Sequence, residues 1–154
     1  MKLASALKLR SNLDKQLSEL IRTITSGLVV QEGMTKPNPD ENYSKYIAKL
    51  AELEKLIVNI NYTNIQTIVH FKDRDVSISE LILLKKEITE IVNIVDSILR
   101  ESEESKIDDV NDIKMVSVVD RDKYQERLEA AKEEKLAIEM ILEEANWGFD
   151  LRGY

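Results

Sequence analysis

Apolar residues recur along most of this chain at alternating intervals of three and four, the period of helices that each bury one face. The longest seam lies between Ser77 and Glu104: Leu81, Leu84, Ile88, Ile91, Val95 and Ile98 mark it, while Ile82, Val92 and Leu99 broaden it. Ser77 followed by Glu80 gives its start a capping-box pattern, in which each residue can satisfy an orphan amide of the first turn. A helix over that span is about 42 Å long. A rod of that length needs partner helices along all of it.

Three more helices follow from the same pattern. Residues 3–26 carry Leu3, Leu7, Leu13, Leu17, Leu20 and Ile24 on one side, with Gly27 placed to end the helix. After the β-favouring run Leu28 to Gln31, the turn Glu32-Gly33 and a linker from Met34 to Pro37, Asn38 caps a second helix. Pro39 stands at its first position, and Asp40 and Glu41 complement the dipole of its first turn. Its seam is Tyr43, Tyr46, Leu50, Leu53, Ile57 and Ile60, and the Asn and Thr residues between Asn61 and Asn64 predict its end. Ile65 to Asp75 reads as irregular, with a short extended run at Thr67 to Val69. Asp120 caps a fourth helix that buries Tyr124, Leu128, Ala131, Ile138 and Leu142 and closes at Trp147 to Phe149. Between the third and fourth helices an acidic stretch leads into Ile113 to Val119, whose β-branched content predicts a strand. Its natural partner is the run at Leu28 to Gln31. The expected fold is therefore mainly all-α: one domain over residues 1–154, four long amphipathic helices in an antiparallel bundle or hairpin arrangement, and a short two-stranded β-ribbon.

Composition adds limits to that picture. The chain has 154 residues and a formal charge of −7, which disfavours nonspecific binding to nucleic acid or anionic lipid. It has no cysteine, which excludes thiol catalysis and thiolate metal sites. Charged residues near the start interrupt any secretory h-region, and the longest uncharged stretch, Leu56 to Phe71, is too polar to span a bilayer. A cytoplasmic protein is expected.

Chemistry has few places to reside. His70 is the single histidine, so a catalytic triad could draw only on it, and the paired Glu-x-x-His of a di-iron bundle cannot be supplied. No phosphate-cradling glycine motif and no Gly-x-Ser-x-Gly elbow occurs, and no cofactor is implied. Glu87 with Glu90, and Glu101 with Glu104, stand three apart on one helix, the spacing that lets two carboxylates share a divalent cation. Such pairs also arise by chance on solvated faces of an acidic chain. Two polar clusters remain as candidate ligand edges: Asn61, Thr63 and Asn64, with Asn59 one turn before them, and Asn146 with Trp147, the only tryptophan.

Several stretches in order carry a resemblance. Ala6-Leu7-Lys8-Leu9-Arg10 with Leu13 and Leu17, Val30-Gln31-Glu32-Gly33, Ile60-Asn61-Tyr62-Thr63-Asn64, Asp112-Ile113-Lys114, and Ala145-Asn146-Trp147 through Asp150-Leu151 span nearly the whole chain. Together they resemble a family of small bacterial helical proteins, some of which bear the label septicolysin. The resemblance implies an all-helical fold with little β and no established activity; the label implies a cytolysin.

Three functions are thereby in play. The preferred reading is a non-enzymatic helical protein that acts through protein contacts, chiefly with itself. The others are a metal-dependent hydrolase using the glutamate pairs and a membrane-active protein of the septicolysin kind. Self-association is expected because Ile78, Ile82, Val92 and Leu99 on the third helix, and Ile47 and Leu56 on the second, exceed what one narrow seam per helix consumes. A dimer or larger homo-oligomer through these residues is the common solution.

Overall fold

The computed structural model describes residues 1–35, 37–103 and 115–154. Its elements are α1 (Leu3–Thr25), α2 (Pro39–Gln66), β1 (Ile68–Phe71), β2 (Arg74–Ser77), α3 (Ile78–Glu101) and α4 (Arg121–Gly148). The fold is mainly helical with one small β-hairpin. The chain divides into two compact units: residues 1–67 with 145–154, and residues 68–144.

The helix ends follow the chemistry of their caps. Gly27, at φ 71°, supplies the left-handed residue beyond α1, where Ser26 already returns its amide to the Arg22 carbonyl. Asn38 Oδ1 accepts the Glu41 amide at 3.3 Å, and Pro39 opens α2. One turn in, the Lys45 ammonium lies 2.6 Å from Glu41 and holds that carboxyl below its ordinary range. Asp120 Oδ1 accepts the Lys123 amide at 3.2 Å at the head of α4. At α3 the capping box is half made. Ser77 Oγ accepts the Glu80 amide at 3.1 Å, while the Glu80 carboxylate turns instead to Arg74, 2.5 Å away.

Two expectations are corrected. The helix α2 does not stop at Asn61 to Asn64 but continues to Gln66. Its inward positions there are Ile60, Thr63 and Asn64, and the Thr63 hydroxyl bonds the Asn59 carbonyl at 2.7 Å, so the polar side chain is satisfied inside the helix. The β-ribbon exists elsewhere than predicted. Ile68↔Ser77 and Phe71↔Arg74 pair antiparallel across the two-residue turn Lys72-Asp73, and Phe71 and Val76 are buried. Leu28 to Gln31 form no strand, nor do the described residues 115–119 of the other predicted strand; Ile113 and Lys114 lie outside the described residues. β-Branched composition makes a strand only where a partner edge is offered, and here the hairpin pairs with itself.

In the second unit α3 and α4 run antiparallel. Lys85 reaches Glu139 at 3.2 Å, and near the other end Arg121 donates to the Leu99 carbonyl at 2.7 Å. Val95, Leu99 and Leu128 form a buried cluster there, with Val92 and Tyr124 packed against it. Lys72, at the tip of the hairpin, pairs with Glu134 at 2.9 Å. In the first unit α1 packs on α2, also antiparallel, since the start of α1 and the end of α2 meet the same C-terminal segment.

Candidate functional site

The two polar clusters singled out in the sequence lead to one place in the first unit. Residues 149–154 leave α4 as an extended segment with both edges occupied. On one edge the Leu3 amide donates to the Phe149 carbonyl at 3.0 Å, and the Leu151 amide donates to the Met1 carbonyl at 2.8 Å. Lys2 and Asp150 stand opposite each other as an antiparallel bridge, and Lys2 Nζ reaches Asp150 Oδ2 at 3.3 Å and the Gly148 carbonyl at 3.1 Å.

On the other edge the partners are side chains of α2. Thr63 Oγ1 accepts the Arg152 amide at 2.9 Å, and Asn59 Oδ1 accepts the Tyr154 amide at 3.1 Å. The Arg152 carbonyl also lies 3.5 Å from Thr63 Oγ1, but the hydroxyl has one proton and the Asn59 carbonyl at 2.7 Å is the better acceptor. The Arg152 guanidinium reaches back to the Gln66 carbonyl at 3.4 Å, complementing the negative end of the helix. The Tyr154 ring meets Tyr62 edge-to-face, with centroids 5.6 Å apart. Thr63 is completely buried.

The predicted ligand-edge residues thus divide. Thr63 is committed to the chain's own tail. Asn64 is buried, Asn61 is exposed, and on the last turn of α4 Asn146 is half-buried. Trp147, beside it, is 61% exposed. Sequence reasoning missed Lys2, Asp150, Arg152 and Tyr154 as partners, because the bonds join residues 86 to 148 positions apart. The available signal was Asn59 with Thr63, two polar residues four apart on the side of α2 that carries Leu56 and Ile60. One turn further, Thr67 is also buried, and among the described residues its hydroxyl has no hydrogen-bond partner.

The described glutamates of these pairs build no metal cluster. Glu87 and Glu90 are exposed on α3, Glu101 lies 3.2 Å from Arg100 Nε, and Glu104 lies outside the described residues. Among the described residues no three acidic or histidine groups come together as a metal site. His70 Nδ1 and Asp75 Oδ1 are 3.0 Å apart across the hairpin, both exposed. No helix of the described residues is long and apolar enough to cross a membrane.

The residues expected at an oligomer interface are distributed unevenly. Leu56, Ile78 and Leu99 are buried within the chain, Val92 is half-buried, and Ile47 and Ile82 are each 44% exposed. Exposed apolar surface combines three residues the seams were expected to bury, Tyr43, Leu50 and Ile91, with positions outside the seams. On α2 it comprises Tyr43, Ile47, Leu50, Val58 and Ile65, which share one stripe. On α3 it comprises Ile82, Leu83, Ile91 and Ile94. Beyond α3 an apolar depression of about 410 Å³ is lined by Ile98, Met115, Val116 and Val118 among others.

A helix pair closed by its own tail, and a second pair built on a β-hairpin, describe a mainly helical protein with polar closures and no assembled catalytic group among its described residues. The chain belongs to a family of unknown function (DUF6847), whose model matches residues 10–151. It is also similar to the crystal structure of a functionally unknown conserved protein from Corynebacterium diphtheriae. That similarity has a TM-score of 0.88, 20% sequence identity and coverage of 99% of each chain. At that identity the likeness shows the fold. No curated protein matches the chain. The expected kinship with small bacterial proteins lacking an established activity stands on the family and structural matches.

Proposed function

We propose that this protein acts through protein contacts rather than catalysis, and that its first partner is another copy of itself. The observation that carries the reading is the exposed apolar stripe on α2, Tyr43, Ile47, Leu50, Val58 and Ile65, together with Leu83, Ile91 and Ile94 on α3. Scattered apolar side chains are ordinary on a surface, but helical stripes of them mark contact faces. Packing such a face against its copy about a two-fold axis removes both from water at about 25 cal/mol per Å². Light scattering after size exclusion tests it: a mass of at least twice 17.7 kDa at micromolar concentration is expected, and a mass of 17.7 kDa ends the proposal.

The membrane activity implied by the septicolysin label would draw on the same stripes, since amphipathic helices insert by their apolar faces. Liposomes loaded with dye separate the two readings. Intact vesicles beside an oligomeric mass support self-association, and rapid release supports the membrane.

A further inference from the structure

The segment 149–154 is bound in the manner of a peptide ligand. Four of its main-chain groups are engaged, the Phe149 carbonyl and the Leu151 amide on one edge and the Arg152 and Tyr154 amides on the other. The receptor groups are the main chain of Met1 and Leu3 and the side chains of Thr63 and Asn59. This is recognition by strand addition, in which main-chain bonds give affinity and flanking side chains give specificity. Here the flanking contacts are matched to this chain's own residues: Asp150 to Lys2, the Arg152 guanidinium to the Gln66 carbonyl, and the Tyr154 ring to Tyr62. Thr63, fully buried at the centre, makes the cradle a built site and not a surface coincidence.

We propose that this cradle is an exchange site, taken in trans by residues 149–154 of a second copy. The occupant follows from the contacts, since a second copy supplies the same six residues and reproduces every one of them. The segment follows directly on Gly148, the last residue of α4, where a Cβ would meet nothing within 4 Å. None of residues 149–154 is buried and only Leu151 is half-buried, so the segment is tied to its cradle chiefly by the bonds named. Because bonds made in cis and in trans are identical, the balance depends on hinge strain and on concentration, which makes exchange a low-cost route to a dimer. The inference rests on the self-association reading and names the segment each copy contributes.

The chain has no cysteine, so an introduced pair reports without background. Thr63→Cys in one full-length chain and Arg152→Cys in another are co-expressed and oxidised, and the disulfide-linked peptide pair is sought by mass spectrometry. The double variant carrying both substitutions in one chain shows that the pair can close, and Lys2→Cys with Asp150→Cys, split and combined in the same way, is the second pair. The expected result is a covalent dimer from the mixed single variants, its yield rising with protein concentration. Closure in the double variant with none in the mixture overturns the exchange. Closure in neither arrangement for either pair overturns the cradle itself. An oligomeric wild type that gives no linked pair in the mixture removes this inference alone, whereas a monomeric wild type removes the self-association reading beneath it.

Discussion

The ends of α2 and α3 face the same problem, a helix C-terminus with unpaired carbonyls beside a buried core, and the two units meet it differently. At α3 two side chains do the work, Arg121 and Ser102, whose hydroxyl donates to the Leu99 carbonyl at 3.1 Å. Arg121 places its guanidinium on the Leu99 carbonyl at 2.7 Å and the Ser102 hydroxyl at 3.0 Å, and beneath it Val95, Leu99 and Leu128 exclude water. At α2 the Thr67 amide returns to the Thr63 carbonyl and the Arg152 guanidinium reaches the Gln66 carbonyl at 3.4 Å, the arginine being placed there by a length of main chain held through Thr63, Asn59 and the first three residues. The first closure is apolar with a charged rim, and it is carried by residues that a helical seam already selects. The second is polar, and its parts come from both ends of the sequence. The first closure can be cut by one apolar truncation, whereas the second, positioned by main chain, resists side-chain changes except at Arg152 and the few residues that read the backbone.

The largest effect should come from the apolar closure. Leu99→Ala removes a buried side chain from the Val95–Leu128 cluster and should cost about 2–5 kcal/mol, measured by urea unfolding. A cost below about 1 kcal/mol would mean that the cluster collapses around the gap and that the polar bonds of Arg121 and Ser102 hold the end. Next is Thr63→Val, which keeps shape and removes the acceptor of the Arg152 amide. A loss of about 1–3 kcal/mol is expected, together with faster hydrogen exchange at Arg152 and Tyr154. Unchanged exchange would show the tail to be held by its other edge.

Thr67→Val sharpens the contrast from the opposite side. Its hydroxyl is buried and has no partner among the described residues, so replacing it with a methyl should stabilise the protein by about 1 kcal/mol. Destabilisation would reveal a bond to water or to a group beyond the described residues. The smallest effect belongs to the exposed start of α2, remote in sequence from both closures. Lys45→Ala should return the Glu41 carboxyl to its ordinary range, read by NMR titration. Because the carboxyl is depressed in the folded state, its contribution is present above the ordinary glutamate pKa and fades as pH falls through the depressed value. The variant should therefore lose slightly more stability at neutral pH than in acid.

This contrast also explains what the sequence made legible. The α3 seam, its Ser77 cap, the Asp120 cap and the Gly27 stop are local patterns, and each appears in the structure within a few residues of its expected place. Of the hairpin, the extended run expected at Thr67 to Val69 overlaps β1, while β2 and the pairing escaped because the turn, Lys72-Asp73, lacks the Asn-Gly type signal, with Lys72 taking a φ of 54°. The tail cradle escaped because nothing local at Thr63 names Arg152 as its partner. Ile78, Leu56 and Leu99 could not be told from exposed apolar positions because a broad seam does not say which of its edges a neighbouring helix covers. Long-range pairing, not local propensity, was the missing information.

Self-association through the exposed helix stripes is the central claim, and one measurement meets it directly. Light scattering after size exclusion is run on the wild type, on the pair Ile47→Glu with Leu50→Glu, and on the pair Ile91→Glu with Ile94→Glu. All four positions are exposed, so the substitutions leave the buried core intact. The wild type should run at twice 17.7 kDa or more, and both variants should fall to 17.7 kDa with unchanged helical signal. A wild type already at 17.7 kDa, or variants that keep the larger mass, would contradict the account.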